Sequence, residues 1–239
     1  MSHQVRDMFS SIAPSYDRVN TILSLGSHHF WRRRAVKLAG VREGHHALDC
    51  ATGTGDLALE LKRTVGSRGS VVGTDFCPEM LETAPRKAAR LNLEVDFRQA
   101  DALALPYDDD EFDVATIAFG IRNVDDPLRC LQELSRVVRP GGRVMVLEFG
   151  QPRGFLLGPL YRLYSRYVMP WLGGLVSGNF EAYRYLPETA AAFPSDRAFV
   201  ELMKQAAVFE EQHATPLWRG IAYVYVGTVA ASPASPSPA

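Results

Sequence analysis

From residue 46 onward the chain alternates short apolar runs with stripes of helical spacing. Residues 46–51, 70–76, 95–100, 112–119 and 143–149 are the short runs, and they predict five strands. Between them, residues 57–65 predict a helix. Pro78 opens the next helix at a position where its missing N–H costs nothing. Asp125, Asp126 and Pro127 supply cap and first-turn signals for another helix, whose apolar stripe is Leu128, Leu131, Leu134 and Val138. Pro140-Gly141-Gly142 predicts a tight turn into the fifth strand. Strand–helix alternation of this kind predicts an α/β fold, a doubly wound and mostly parallel sheet. A late helix (Phe199, Leu202, Met203, Ala206) precedes two further strands, residues 209–215 and 221–229. Their short separation predicts an antiparallel edge hairpin, which makes the sheet seven-stranded.

Two segments lie outside that alternation. Residues 1–40 read as a polar helical segment with apolar positions at Met8, Ile12, Leu23, Leu25 and Trp31. Residues 153–195 read as a helical insertion in a main domain spanning 41–230. The apolar stretch 155–176 nears the length of a membrane span, but Arg162 and Arg166 interrupt it and Gly158-Pro159, Pro170 and Gly173-Gly174 break it. We therefore expect a helical cover on the sheet, a lid over a cavity for a greasy acceptor, or both. The Ala/Ser/Pro tail 231–239 is expected to be disordered.

Composition narrows the partners. The 239 residues, 46% hydrophobic, suit one α/β domain with embellishments, and a formal charge of −1 gives no basic field for nucleic acid. Arg32-Arg33-Arg34 with Lys37 reads as a solvated helix face or a contact for anionic headgroups. Cys50, Cys77 and Cys130 are scattered without C-x-x-C spacing, which argues for a reducing compartment and against disulfides or zinc. The first residues lack an apolar signal core, so a cytoplasmic protein is expected.

The candidate chemistry starts at Asp49 and runs through Gly53-Thr54-Gly55-Asp56, a glycine turn between strand and helix. Asp75 ends the next strand about 20 residues on, where a ribose-binding acid falls in nucleotide folds. A pyrophosphate on this turn would meet Asp49 and Asp56, and no Lys or Arg lies between Ala47 and Leu61 to compensate. S-adenosylmethionine carries a sulfonium and an ammonium, which those carboxylates favour. Asp101, at the end of the third strand, can accept from an adenine amine while Ala102 leaves room for the ring. A dinucleotide-dependent oxidoreductase on the same sheet is the rival reading. On the acceptor side, Gly120, Arg122 and Asn123 follow the fourth strand at the mouth where ligands bind such sheets. Arg122 could instead pair with Asp125 or Asp126. Tyr16, Asp17, Asn20, His28 and His29 are the polar candidates of the N-terminal segment.

Taken together, these strings resemble the ubiquinone/menaquinone biosynthesis C-methyltransferase family. The N-terminal block (Tyr16-Asp17, Asn20, His28, Trp31-Arg32-Arg33) and Phe119-Gly120-Ile121-Arg122-Asn123-Val124 are the specific parts. Leu147-Glu148-Phe149, Tyr185-Leu186-Pro187 and Phe193-Pro194 extend the match over nearly the whole chain. The resemblance implies a class I, Rossmann-like methyltransferase that transfers a methyl group from S-adenosylmethionine to a ring carbon of a polyprenylated quinol. It implies donor contacts from Asp49, Gly53, Thr54, Gly55, Asp75, Phe76, Asp101 and Ala102. Ala118 is the remaining expected donor contact, an apolar one at a position where relatives place a hydroxyl. Arg122, Asn123, Tyr16 and His28 are the expected catalytic group, with the base left open among His28, Asp17 and water. No metal is expected, because no His/Cys/Asp group has ligand spacing. The short N-terminus is more similar to members acting on demethylmenaquinol than to those also serving ubiquinone synthesis. Transient contact with the inner face of the membrane is expected, and homo-oligomer formation is left open. The rivals are a methyltransferase for a soluble phenolic acceptor and a non-catalytic assembly subunit.

Overall fold

A computed structural model describes residues 3–152, 154–155 and 157–231, with the side chains of His3, Gln4 and Leu157 outside the description. Its centre is one seven-stranded sheet in the order β3-β2-β1-β4-β5-β7-β6. The strands are β1 (His46–Cys50), β2 (Ser70–Asp75), β3 (Asp96–Gln99), β4 (Phe112–Ala118), β5 (Val138–Phe149), β6 (Phe209–Leu217) and β7 (Ala222–Val229). The first five pair in parallel; β7 runs antiparallel to β5 and to β6. The expected hairpin is therefore present, but its second strand is inserted beside β5 and its first forms the edge.

Each central strand sends alternate residues to opposite faces. On β5, Val144 and Val146 join one core while Met145 and Leu147 join the other. On β7, Tyr223 and Tyr225 part in the same way from Ala222 and Val224. Burial on both sides is why these strands read as continuous apolar runs. Helices α4 (Asp56–Val65), α5 (Pro78–Leu81), α6 (Ala84–Arg90), α7 (Pro127–Arg136) and α11 (Arg197–Gln205) connect them. Helix α7 is capped as its sequence predicts, by the Asp126 carboxylate accepting from the Arg129 N–H at 3.0 Å.

Three of the predicted strand boundaries differ for reasons visible in the backbone. The fifth strand starts at Val138, which pairs with Phe112 before the register jumps to Val114↔Arg143. Pro140-Gly141-Gly142 is thus a bulge within β5 rather than a turn ahead of it. The predicted ends of β1 and β4 run one residue too far, because Ala51 (φ +52°) and Phe119 (φ +56°) turn the backbone out of extended geometry.

A helical cap covers the carboxyl ends of the parallel strands. It combines α1 (His3–Ile12), α2 (Tyr16–Leu23) and α3 (Ser27–Leu38) with α8 (Leu157–Leu163), a π-helical turn (Tyr164–Val168), α9 (Met169–Ser177) and α10 (Phe180–Ala192). Phe9, Ile12, Val19, Leu23, Met80, Ala182 and Tyr183 form a separate core there. The Tyr164 hydroxyl donates to the Leu23 carbonyl at 2.7 Å, and Asn179 donates to Ser11 at 2.9 Å. No described helix is long and apolar enough to cross a membrane. Most of the tail, residues 232–239, lies outside the described residues.

Candidate active site

Between β1 and β4 the chain order along the sheet reverses, which opens a crevice beyond the strand ends. Ala51 and Phe119 flank it, two non-glycine residues with positive φ; such geometry costs about 1–3 kcal/mol each and clusters at functional sites. Gly53 (φ +58°) and Gly55 (φ +85°) carry the loop from β1 into α4, and a Cβ on Gly55 would come within 2.9 Å of the Ala84 Cβ. Asp75 holds this loop from β2, its two oxygens accepting from the Gly53 N–H at 2.8 Å and the Cys77 N–H at 2.9 Å. Burial pushes its carboxyl above the usual range. Next to it, Cys50, Ala51, Phe76, Ala100, Asp101, Ala102 and Val124 line a narrow slot. The slot unites three of the expected donor residues: an acid, a small residue and an aromatic face. Ala118 ends β4, in register with Leu147.

Asp49 lies deeper. Its carboxylate accepts from Thr52 at 2.6 Å and Thr116 at 2.8 Å, both hydroxyl donors. Burial lifts its pKa to about 6 against those hydrogen bonds.

Asp56 departs from expectation. It does not offer an uncompensated carboxylate, because Arg32 reaches it at 3.1 Å from α3 and Lys87 contacts it from α6. Burial acts to raise its pKa, but the two cations outweigh it and hold the carboxyl below the usual range. Lys87 also bonds Asp17 at 2.8 Å, and the Thr54 hydroxyl donates to Asp17 at 2.6 Å. Thr54 and Asp17 are therefore parts of a clamp that ties α2 to the glycine loop. Both cations lie far from the loop in sequence, and only the fold brings them there. Arg32 thereby leaves the cluster read as one solvated face, while Arg33, Arg34 and Lys37 stay exposed.

Beneath the cap lies a cavity of about 820 Å³, within the range of ligand pockets. Tyr16, His28 and Arg122 all line it. Asn123 is not among its lining residues; it is buried behind the wall, where its amide oxygen accepts from the Tyr185 hydroxyl at 3.3 Å. Part of the wall is aromatic, and charged residues, Arg32, Arg122 and Glu188 among them, share the lining. Phe119 and Phe149 rings stand 4.5 Å apart, and Trp31 meets Trp218 edge-on at 5.7 Å.

Arg122 finds its counter-ion in Glu148, at 2.6 Å, and also donates to the Phe119 carbonyl at 2.8 Å. Its guanidinium carbon lies 5.4 Å from the Phe149 ring centre. Both side chains of the pair are almost wholly buried, at 3% and 1% exposure, so neither charge is screened by bulk water. The Glu148 Oε2 and Arg122 Nε atoms are buried with no hydrogen-bond partner. Burial raises the Glu148 pKa and Arg122 opposes that rise. Glu148 appeared in the sequence only as part of a strand end; its role becomes visible when β5 is set beside β4.

His28 shares a 2.5 Å hydrogen bond between its Nδ1 and Ser24. Burial, followed by Arg32 and His29, lowers its pKa to about 4. Among the described residues, His28, His29 and Asp56 hold donor atoms within 4.8 Å of one another. Sequence spacing hid this group because it joins α3 to the start of α4; Arg32 and Lys87 already share its one carboxylate.

Comparisons with known proteins identify the family and the fold. A protein of Bdellovibrio bacteriovorus described as ubiquinone/menaquinone biosynthesis C-methyltransferase UbiE is 52% identical over 225 residues, covering 94% of this chain and 95% of its own. One of Thermus thermophilus described as demethylmenaquinone methyltransferase is 53% identical over 221 residues, covering 92% and 99%. Among solved structures, a SAM-dependent methyltransferase of Thermotoga maritima superposes with a TM-score of 0.66 at 22% identity, covering 93% of this chain and 98% of its own. A SAM-dependent methyltransferase of Aquifex aeolicus gives 0.61 at 19% identity, covering 89% and 97%. These two establish the fold. The sequence profile of the ubiE/COQ5 methyltransferase family matches residues 1–229, and the chain is a methyltransferase that belongs to that family.

Proposed function

We propose that this methyltransferase uses S-adenosylmethionine to methylate a ring carbon of a polyprenylated quinol, converting demethylmenaquinol to menaquinol. The observation that carries the reading is Arg122, a cation set on the aromatic wall of a cavity otherwise suited to a flat ring with an apolar tail. The relative of Thermus thermophilus is described as a demethylmenaquinone methyltransferase, which favours the naphthoquinol over the benzoquinol.

The donor fits the crevice. Asp75 keeps lone pairs for two ribose hydroxyls beside the loop it holds, and the Phe76–Asp101–Ala102 slot offers adenine a stacking face and an acceptor. Asp49 and Asp75 are the carboxylates that favour the donor's positive groups, since Asp56 is spoken for by Arg32 and Lys87.

Carbon methylation needs an electron-rich ring, so the acceptor is the reduced quinol. Loss of a phenolic proton directs electron density to the neighbouring carbon. That carbon takes the methyl group from sulfur, the S–CH3 electron pair stays on sulfur, and the ring C–H proton then leaves to restore aromaticity. A phenol has a pKa of about 10, so the ionised form must be favoured locally. Arg122 does this as a nearby cation, tempered by Glu148. His28, with a pKa of about 4, is neutral and accepts a hydrogen bond. So weak a base does not hold the phenolic proton, which is released through water to bulk buffer at a cost of about 4 kcal/mol at pH 7 for a phenol of pKa about 10, a cost that Arg122 reduces. Tyr16, held un-ionised by burial, orients the ring as a donor. Because the tail is a membrane lipid, the protein meets its substrate at the membrane surface.

The test is transfer of a radiolabelled methyl group to demethylated naphthoquinone, with and without reductant. Product only under reduction is expected. Full turnover on the strictly oxidised ring would overturn the electronics, and preference for a benzoquinol would move the assignment to the other pathway.

A further inference from the structure

The cavity opens where three of its lining residues are themselves exposed: Leu25 at 89%, Leu160 at 64% and Trp218 at 51%. From that mouth an apolar stripe continues along the cap. Leu160, Leu163, Tyr167, Trp171 and Leu175 are all exposed, and their spacing of three and four residues keeps them on one side of a continuous helical rod. Val168, Val176 and Phe180 widen it. A soluble face normally carries charges at such positions, and contiguous apolar patches of this kind mark interaction sites.

The charges near the stripe identify its occupant. From Leu157 to Ser177 the chain holds no Asp, Glu or Lys; its charged residues are Arg162 and Arg166. Both are exposed, and both line the mouth of the cavity. Arg166 lies 5.6 Å from the Tyr167 ring. A second copy of the chain, docked on the same face by two-fold symmetry, would set arginine against arginine with no acid from this segment between them. An anionic lipid surface complements the arginines of this segment, and the exposed acid that also lines the cavity, Glu188, has Arg184 beside it at 3.9 Å. Trp, Tyr and Leu enter the headgroup–acyl boundary, and arginines reach phosphate.

We propose that the α8–α9 stripe is the surface by which this enzyme docks on a bilayer containing anionic phospholipid, with the cavity mouth facing the lipid. The proposal rests on the quinol reading given above and specifies how that substrate arrives. The tail stays continuous with the bilayer while the ring alone advances to Arg122, so the lipid never crosses water.

Flotation with liposomes tests it, using phosphatidylcholine alone and phosphatidylcholine mixed in equal parts with phosphatidylglycerol. The variant is Trp171→Glu with Leu175→Glu, two residues that do not line the cavity. The native protein should float with the mixed vesicles, less with phosphatidylcholine, and less again in high salt. The double variant should bind about tenfold more weakly, since each apolar anchor becomes a charge that anionic lipid repels. Its turnover on a short-tailed, water-soluble quinol should match the native protein, while turnover on a long-tailed quinol embedded in vesicles falls about as far as binding does. Undiminished flotation of the variant would overturn the proposal. So would a native protein that methylates embedded quinol without binding vesicles, or a native dimer that the substitutions split without any lipid binding. Vesicle binding lost in the variant, with no quinol methylated in any form, would uphold the docking face and overturn the quinol assignment alone.

Discussion

Asp49 is the residue at which the affinity for the methyl donor should follow pH. Its carboxyl, buried beside Thr52 and Thr116, titrates at about 6, well within reach of ordinary buffers. With that value the group is about 90% ionised at pH 7 and about 10% ionised at pH 5. If the ionised carboxylate binds a cationic ligand about tenfold better than the neutral carboxyl does, affinity for S-adenosylmethionine falls about fivefold between those values, about 1 kcal/mol. Asp49→Asn should bind the donor about tenfold more weakly at pH 7 and about equally at pH 5, because the native carboxyl is then neutral as well. Asp75 also titrates upward of its usual range, but it is present in both proteins and cancels in their ratio. The substitution should not cost stability at neutral pH. The folded pKa lies above the unfolded value of 3.8, so the stabilising contribution of the protonated form is full below that value and is lost as pH rises through about 6. Isothermal titration calorimetry at the two pH values gives the answer. An affinity ratio independent of pH would refute the reasoning, and so would an unchanged affinity for Asp49→Asn at pH 7.

Arg122→Ala should lower turnover by about 10²–10³ while leaving donor affinity within about twofold, as for loss of a group that stabilises developing negative charge. The same change strands Glu148 in the interior, so the melting temperature should also fall, by the equivalent of about 3–5 kcal/mol; adding Glu148→Gln should restore the melting temperature but not the turnover. Glu148→Gln alone frees Arg122 of its counter-charge, and the alkaline-rising limb of kcat against pH should move to lower pH; an unmoved limb would exclude a role for the pair in ionising the ring. Lys87→Ala should loosen the clamp on the glycine loop, read as faster amide exchange in α2 with exchange in α7 unchanged.

The sheet was legible because its strands are buried on both faces and its turns use Pro and Gly. The capping of α7 by Asp126 could be read directly, as could the positive φ at Gly53 and Gly55. The bulge in β5 was hidden because Pro140-Gly141-Gly142 has the composition of a turn whether it precedes a strand or interrupts one. Residues carried by short motifs are brought together in space: Asp75 on the glycine loop, Asp101 and Ala102 with Phe76 in one slot, and Arg122, His28 and Tyr16 on the cavity. What stayed hidden was pairing at long range. Arg32, Lys87 and Asp17 meet at the glycine loop from three separate elements, and Glu148 on β5 meets Arg122 in the turn that follows β4. Local charge counting along 47–61 therefore described a more acidic loop than the folded protein has. Asn123 adjoins Arg122 in sequence and both side chains donate to the Phe119 carbonyl, yet Arg122 lines the cavity while Asn123 also accepts from the Tyr185 hydroxyl and does not line it.

The most direct measurement is a crystal structure of the protein with S-adenosylhomocysteine and a short-tailed demethylated naphthoquinol. Ribose hydroxyls are expected on the Asp75 carboxylate and adenine in the slot of Phe76, Asp101 and Ala102. The quinol ring is expected against Phe119 and Phe149, with a ring oxygen at Arg122 and the tail leaving past Leu25 and Leu160. A nucleoside seated instead in the large aromatic cavity, or a quinol ring bound away from Arg122, would contradict this placement.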